Sequence, residues 1–152
     1  MIYPIGSFYS HVHSRKIKNN LLKYDICILS QYLHHWEEKN LSHERKIQMK
    51  IFDLMTEYIS KFCIDNPNLK IAVAMRPQEK GQFGSDLEKK YFMKKLSNVN
   101  PVFVNSNELE GSSYSAAFSS KVILTHYSTL GFELLGFKKK VLFFQPYKFK
   151  YS

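Results

Sequence analysis

The sequence predicts an α/β fold with a mostly parallel sheet of about five strands and helices on both faces. Apolar runs rich in β-branched and aromatic residues alternate four times with segments of helical period. The first run contains "ICIL" without a polar break, which is typical of a strand covered on both faces. This alternation implies right-handed βαβ units, because neighbouring parallel strands need a crossover connection.

The first strand is predicted at 24–33 and the first helix from Ser42 onward. Ser42 suits the N-cap, because its hydroxyl can accept a hydrogen bond from a free backbone N–H, and the "DNPN" at 65–68 ends the helix. Apolar residues at steps of three and four form one predicted buried stripe: Ile47, Ile51, Leu54, Met55, Tyr58, Ile59 and Phe62.

A second buried strand is predicted at 69–77, where Pro77 ends it. A glycine-rich loop follows, and Ser85 with Asp86 predicts the start of the second helix. The short β-branched run at 101–105 predicts a third strand.

The last part of the chain predicts two short helices and two strands. Small residues at 112–120 indicate a brief helix, and the apolar run at 121–127 indicates the fourth strand. A fourth helix is predicted at 128–136 and a fifth strand at 139–144.

The composition is that of one folded domain, since 152 residues with 44% hydrophobic side chains can bury a core but are too few for most two-domain enzymes. The net charge of +9 predicts attraction to nucleic acid, acidic lipid headgroups or phosphorylated small molecules. Cys27 and Cys63 lack metal-ligand spacing and are predicted to be core thiols. Without a signal peptide or an apolar run of roughly 18 residues, the expected location is the cytoplasm.

The candidate ligand site follows the fourth strand, because such sheets bind ligands beyond the carboxyl ends of their strands. A helix that begins there offers free N–H groups and the positive end of its dipole to an anion. The hydroxyls of Ser128 and Thr129 and the small Gly131 suit a diphosphate, and Glu133, about one and a half turns further on, suits ribose hydroxyls. The alternative is structural: Ser128 as a simple N-cap, Gly131 as a packing position and Glu133 as a solvated residue.

Three stretches resemble the nucleotide-binding half of GT-B glycosyltransferases, particularly the bacterial enzymes of surface polysaccharide, capsule and teichoic acid synthesis. "THYSTLGFELLGFKKKVLFF" (125–144) is similar to that family's strand, hydroxyl pair, helix with an acidic residue, Gly-Lys and strand. "VAMRPQEKG" (73–81) resembles its strand ending in a basic residue plus proline, and "MIYPIGSFYS" (1–10) resembles its lead-in to the second domain. The resemblance implies a Rossmann-like fold, as one half of a GT-B enzyme.

The resemblance also implies binding of a nucleotide sugar as substrate, with no cofactor and no metal. Arg76 would be the catalytic residue, clamping the leaving diphosphate, because a guanidinium stays charged and can fork onto two oxygens. The implied substrate-binding residues are Ser128, Thr129, Leu130, Gly131, Glu133, His126 and Asn105.

Within that set, residues 128–131 would hold the diphosphate, Glu133 the ribose, and Asn105 would lie near the base. Two residues depart from the family pattern: Arg76 replaces the usual histidine, and His126 stands where an acidic residue is common. His126 could bond phosphates, act as a base, or simply pack.

The resemblance implies an interdomain lead-in at 1–20 and a donor-binding domain at 21–152 that is truncated at its C-terminus. A carbohydrate or lipid-linked acceptor, and the general base, would belong to an N-terminal acceptor domain missing from the chain. Peripheral association with the inner face of the membrane is the implied alternative to a free cytoplasmic protein.

Two other functions stay open. A sugar-nucleotide 2-epimerase-like enzyme shares the architecture but needs carboxylates and histidines in its cleft. A non-enzymatic basic module that binds nucleic acid or a protein partner is suggested by the aromatic and lysine residues interleaved in "FFQPYKFKY" (143–151), since bases stack on such rings.

Overall fold

The computed structural model describes residues 21–33, 41–77, 81–106 and 111–146, so the lead-in predicted at 1–20 lies outside the described residues. The predicted order of strands and helices is confirmed. The elements are β1 (Tyr24–Leu29), α1 (His43–Asp65), β2 (Ile71–Ala74), α2 (Gly81–Lys95), β3 (Val102–Val104), α3 (Ser112–Phe118), β4 (Ser120–Thr125), α4 (Thr129–Gly136) and β5 (Val141–Phe143).

All five strands form one parallel sheet in the order β3-β2-β1-β4-β5, which confirms the Rossmann-like α/β fold. The chain runs outward from β1 to β3 and then crosses back to place β4 on the other side of β1. The β1–β4 pair is therefore the point where the strand order reverses, and a crevice opens at such a point in open α/β sheets.

The core has two layers, because successive side chains of β1 point to opposite faces of the sheet. Ile26 and Ile28 pack on one face with residues of α1 and α2. Cys27 and Leu29 pack on the other face with residues of α3 and α4. Both cysteines are buried and free, as predicted, and burial raises the pKa of the Cys27 thiol to about 12.

Helix α1 begins as the sequence predicts, since the Ser42 hydroxyl accepts a hydrogen bond from the Arg45 amide at 3.3 Å. The predicted buried stripe was wrong at its edges. Met55 is fully buried as predicted, but Phe52, which the stripe leaves out, is also fully buried, and Tyr58, which it includes, is 63% exposed. The apolar face of α1 is wider than the part of the helix that packs on the sheet, so the residues at the edge of that face remain at the surface.

Helix α2 begins at Gly81, so the predicted start at Ser85 was wrong by one turn. Glycine inside a helix costs about 1 kcal/mol relative to alanine, which is why the sequence suggested a loop. Packing outweighs that cost, because Phe92 of the same helix and Leu96 directly after it are buried in the core. Gly84 is itself buried.

Helix α4 lies close to the sheet because Gly131 has no side chain. A Cβ atom on Gly131 would meet Thr125 Cγ2 at 2.9 Å and the Phe143 ring at 3.1 Å. The glycine thus brings the first turn of α4 down onto the ends of β4 and β5.

Replacing Gly131 with alanine should therefore lower the free energy of unfolding by about 1–3 kcal/mol through overpacking, as measured by urea denaturation. Gly136→Ala is the matched control, because nothing lies within 4 Å of a Cβ there. That control should be neutral or stabilising by up to about 1 kcal/mol. Equal effects of the two substitutions would contradict close packing at Gly131.

Candidate functional site

A cleft of about 350 Å³ opens at the carboxyl ends of β1, β2 and β4, where the strand order reverses. Its volume falls within the roughly 300–1,000 Å³ of small-molecule sites. The lining residues are Leu29, Ser30, Gln31, Ala74, Met75, Arg76, Pro77, Ser113, Tyr127, Ser128, Thr129 and Leu130. The structure thus brings Arg76 and residues 128–130 to one cavity.

Gln31 joins the end of β1 to the end of β4. Its side-chain oxygen accepts hydrogen bonds from the Thr125 hydroxyl at 3.2 Å and from the amides of His126 at 3.3 Å and Tyr127 at 3.1 Å. Gln31 is only 5% exposed. These bonds satisfy the backbone N–H groups of the two residues that directly follow β4. Burying those N–H groups without an acceptor would cost free energy.

Thr125 extends this network to the first residue of the following turn. Its hydroxyl donates to Gln31 and accepts from the Ser128 amide at 3.4 Å. Ser128 is the N-cap of α4, and its carbonyl accepts from the Gly131 amide at 3.0 Å. The β4–α4 turn is therefore fixed from one side by Gln31 and from the other by the helix.

The start of α4 presents hydrogen-bond donors to the cleft. The first amides of a helix have no intrahelical acceptor, and here they belong to Thr129 and Leu130, which line the cavity. The Ser128 side chain makes no capping hydrogen bond. The positive end of the helix dipole adds to the attraction for an anion.

Arg76 provides a positive charge on the opposite wall, at the end of β2. Its backbone amide donates to Glu88 Oε1 at 3.2 Å, and Glu88 is fully buried in α2. Among the described residues, no carboxylate forms an ion pair with the exposed Arg76 side chain. The backbone of Arg76 is thus held by α2, and Arg76 lines the cleft.

His126 lies on the other side of the turn and is not among the lining residues of the cleft. The residue is 4% exposed, and its ring centroid lies 4.1 Å from that of Tyr127 and 6.3 Å from that of Phe52. Neither ring nitrogen has a hydrogen-bond partner among the described residues. Burial lowers the His126 pKa to about 4, so the ring is neutral at pH 7.

Three other predicted site residues also lie outside the lining of this cleft. Gly131 packs against Thr125 and Phe143, as described above. Glu133 accepts a hydrogen bond from the Tyr114 hydroxyl, which joins α4 to α3. Asn105 is exposed after β3, and its carbonyl accepts from the Ser112 hydroxyl at 2.7 Å. Their parts in binding stay predictions.

Sequence reasoning places Ser30 and Gln31 directly after the first strand, where such sheets bind ligands, but gives Gln31 no role in the site. It does not select Ser113, which also lines the cleft. Gln31 follows a buried strand, and that position was the available signal. Its bonds to residues 94 to 96 positions away depend on the register of β1 with β4, which no local pattern reveals. Ser113 is the second residue of α3, a small-residue helix that carries no ligand motif.

The described residues contain no group of three or more His, Cys, Asp or Glu side chains that could hold a metal ion. They also contain no helix with the length and hydropathy needed to cross a membrane. The chemistry that the cleft itself offers is hydrogen-bond donation and one guanidinium charge.

The model of a protein family described as "putative O-antigen biosynthesis protein" matches residues 1–149. No curated protein and no solved structure gives a significant match.

The buried His126 predicts a pH dependence of stability. Its pKa is about 4 in the folded chain and near 6.5 when unfolded, so the unfolded chain binds the extra proton between these values. Stability should therefore fall as the pH drops from 6.5 to 4, by up to about 3 kcal/mol. His126→Phe should flatten this part of the profile, measured by urea denaturation at each pH.

His43→Phe is the control for that profile, because His43 is exposed at the first residue of α1. The control should keep the wild-type slope. A His126→Phe profile parallel to that of the wild type would show that the ring is not buried in its neutral form.

Proposed function

This chain belongs to the O-antigen biosynthesis protein family whose model spans residues 1–149, and from this premise we propose that its cleft binds the diphosphate of a nucleotide sugar. The chain would then be the donor-binding part of a glycosyltransferase of surface polysaccharide synthesis. The family supports the pathway class, and the cleft supports the ligand class.

One observation carries the proposal: Arg76 and the start of α4 line the same cleft at the switch point of the sheet. A guanidinium and helix-terminal amides are both suited to phosphate oxygens. Their placement on opposite walls favours a ligand with two linked phosphates over a single small anion.

The charge of the lining supports the same ligand. Arg76 is cationic, and none of the described lining residues is acidic. The pyrophosphate of a nucleotide sugar carries one negative charge on each phosphate, which a guanidinium and a helix dipole can partly neutralise.

In the proposed reaction the bond between the anomeric carbon and the β-phosphate oxygen breaks, and its electron pair stays on the diphosphate. The acceptor hydroxyl oxygen bonds to the anomeric carbon and loses its proton to a base. Arg76 and the amides of Thr129 and Leu130 would stabilise the charge that grows on the leaving diphosphate. We propose a carbohydrate or lipid-linked acceptor, with the base and the acceptor site outside this cleft.

The alternatives are less well supported by the geometry. An epimerase would need acid and base side chains in the cleft, and among the described residues the lining offers no Asp, Glu or His. The aromatic and lysine stretch at 143–151 that suggested nucleic-acid binding falls mostly on 147–151, outside the described residues.

Isothermal titration calorimetry tests the proposal with UDP, CDP, GDP and CMP. At least one nucleotide should bind with a dissociation constant below about 1 mM, without added metal, while uridine, cytidine and guanosine give no heat. Oligonucleotide binding with a steep salt dependence, together with no heat from any nucleotide, would instead support the nucleic-acid function.

Arg76→Met should weaken the affinity for the nucleotide by roughly 10- to 100-fold, because a charge-assisted hydrogen bond contributes about 1.5–3 kcal/mol. Arg45→Met is the matched control, since Arg45 is exposed at the start of α1, outside the cleft lining, and the variant loses the same charge. An equal loss of affinity in both variants would point to net charge rather than a clamp at Arg76.

A further inference from the structure

The side-chain amino group of Gln31 has no role in the network that fixes the β4–α4 turn. We propose that this amino group donates a hydrogen bond to a phosphate oxygen of the ligand in the cleft, which makes Gln31 a binding residue as well as a positioning residue. The inference rests on the proposed function, because it requires that the cleft takes a phosphorylated ligand.

The hydrogen bonds of Gln31 settle which end of its carboxamide is the oxygen. Two of the donors that meet it are the backbone N–H groups of His126 and Tyr127. A backbone N–H can only donate, so the atom that it meets must be an acceptor. The oxygen therefore points to the turn after β4, and the amino group points elsewhere.

No described residue accepts a hydrogen bond from that amino group, since the hydrogen bonds between the Gln31 side chain and other described residues are all made by its oxygen. Among the described residues, the only enclosed side-chain nitrogens without a partner are those of His126. The Gln31 amino group therefore retains access to open space, although the residue is 95% buried (5% exposed). The open space that Gln31 borders is the cleft.

This donor lies in the same cavity as the start of α4, a helix of 8 residues whose first amides belong to Thr129 and Leu130. Because this donor borders the cleft and has no acceptor among the described residues, it is available to a ligand oxygen. The neighbouring donors all favour an acceptor-rich anion. The shared chemistry that fits is a phosphate oxygen, from pyrophosphate or from a nucleotide.

Two substitutions at Gln31 separate its two roles. Gln31→Glu keeps an acceptor for Thr125, His126 and Tyr127 but replaces the amino group with a second anionic oxygen. It should keep a melting temperature close to that of the wild type and weaken pyrophosphate binding by about 10-fold or more. Gln31→Met removes both groups and should lower the melting temperature as well as the affinity.

A measurement on the unaltered protein keeps the proposal testable if either variant fails to fold. In a ¹⁵N–¹H correlation spectrum, the paired carboxamide signals of Gln31 should shift when pyrophosphate is added. Those of Gln48 should not, because Gln48 lies on α1 and outside the lining of the cleft.

The outcomes distinguish the two proposals. If the wild type binds neither pyrophosphate nor any nucleotide, the proposed function fails and the role of Gln31 fails with it. If the wild type binds pyrophosphate but Gln31→Glu binds it equally tightly, or the Gln31 carboxamide signals do not move, only the role of Gln31 is overturned.

Discussion

The oxygen of Gln31 is the constraint on which the geometry of the cleft depends. It holds the Thr125 hydroxyl and two backbone N–H groups of the turn after β4, across a sequence separation of 94 to 96 residues. Without this acceptor those N–H groups would need water or a different backbone path. The bond network thus fixes where α4 begins, and the start of α4 forms one wall of the cleft.

Packing fixes the same helix from beneath. Gly131 lets the first turn of α4 rest on Thr125 and Phe143, and Glu133 binds Tyr114 of α3. Gly131 and Glu133 therefore hold the helix in position in this structure, while Ser128, Thr129 and Leu130 line the cavity. In α4, some residues hold the helix against the rest of the protein, and the residues at its start present hydrogen-bond donors to the cleft.

Local patterns were enough to predict the fold. Apolar runs and helical periods identified each strand and helix in order, and Ser42 predicted its own N-cap bond. The start of α2 could not be found in this way, because glycines at residues 81 and 84 suggest a loop, and the burial of Gly84 is not visible in the local sequence. Arg76 and residues 128–131 were predicted as one site, from the family resemblance and from the rule that ligands bind beyond the ends of parallel strands, and Arg76 and residues 128–130 line the cleft.

The rest of the site depends on contacts between distant residues. The role of Gln31 requires the β1–β4 register, and the burial of His126 requires the position of Phe52 on α1. The central claim is that a diphosphate lies between Arg76 and the start of α4. A crystal structure with pyrophosphate bound tests this most directly: the account predicts the anion within hydrogen-bonding distance of the Thr129 amide and the Arg76 guanidinium. Pyrophosphate bound elsewhere, with this cleft empty at saturation, would contradict it.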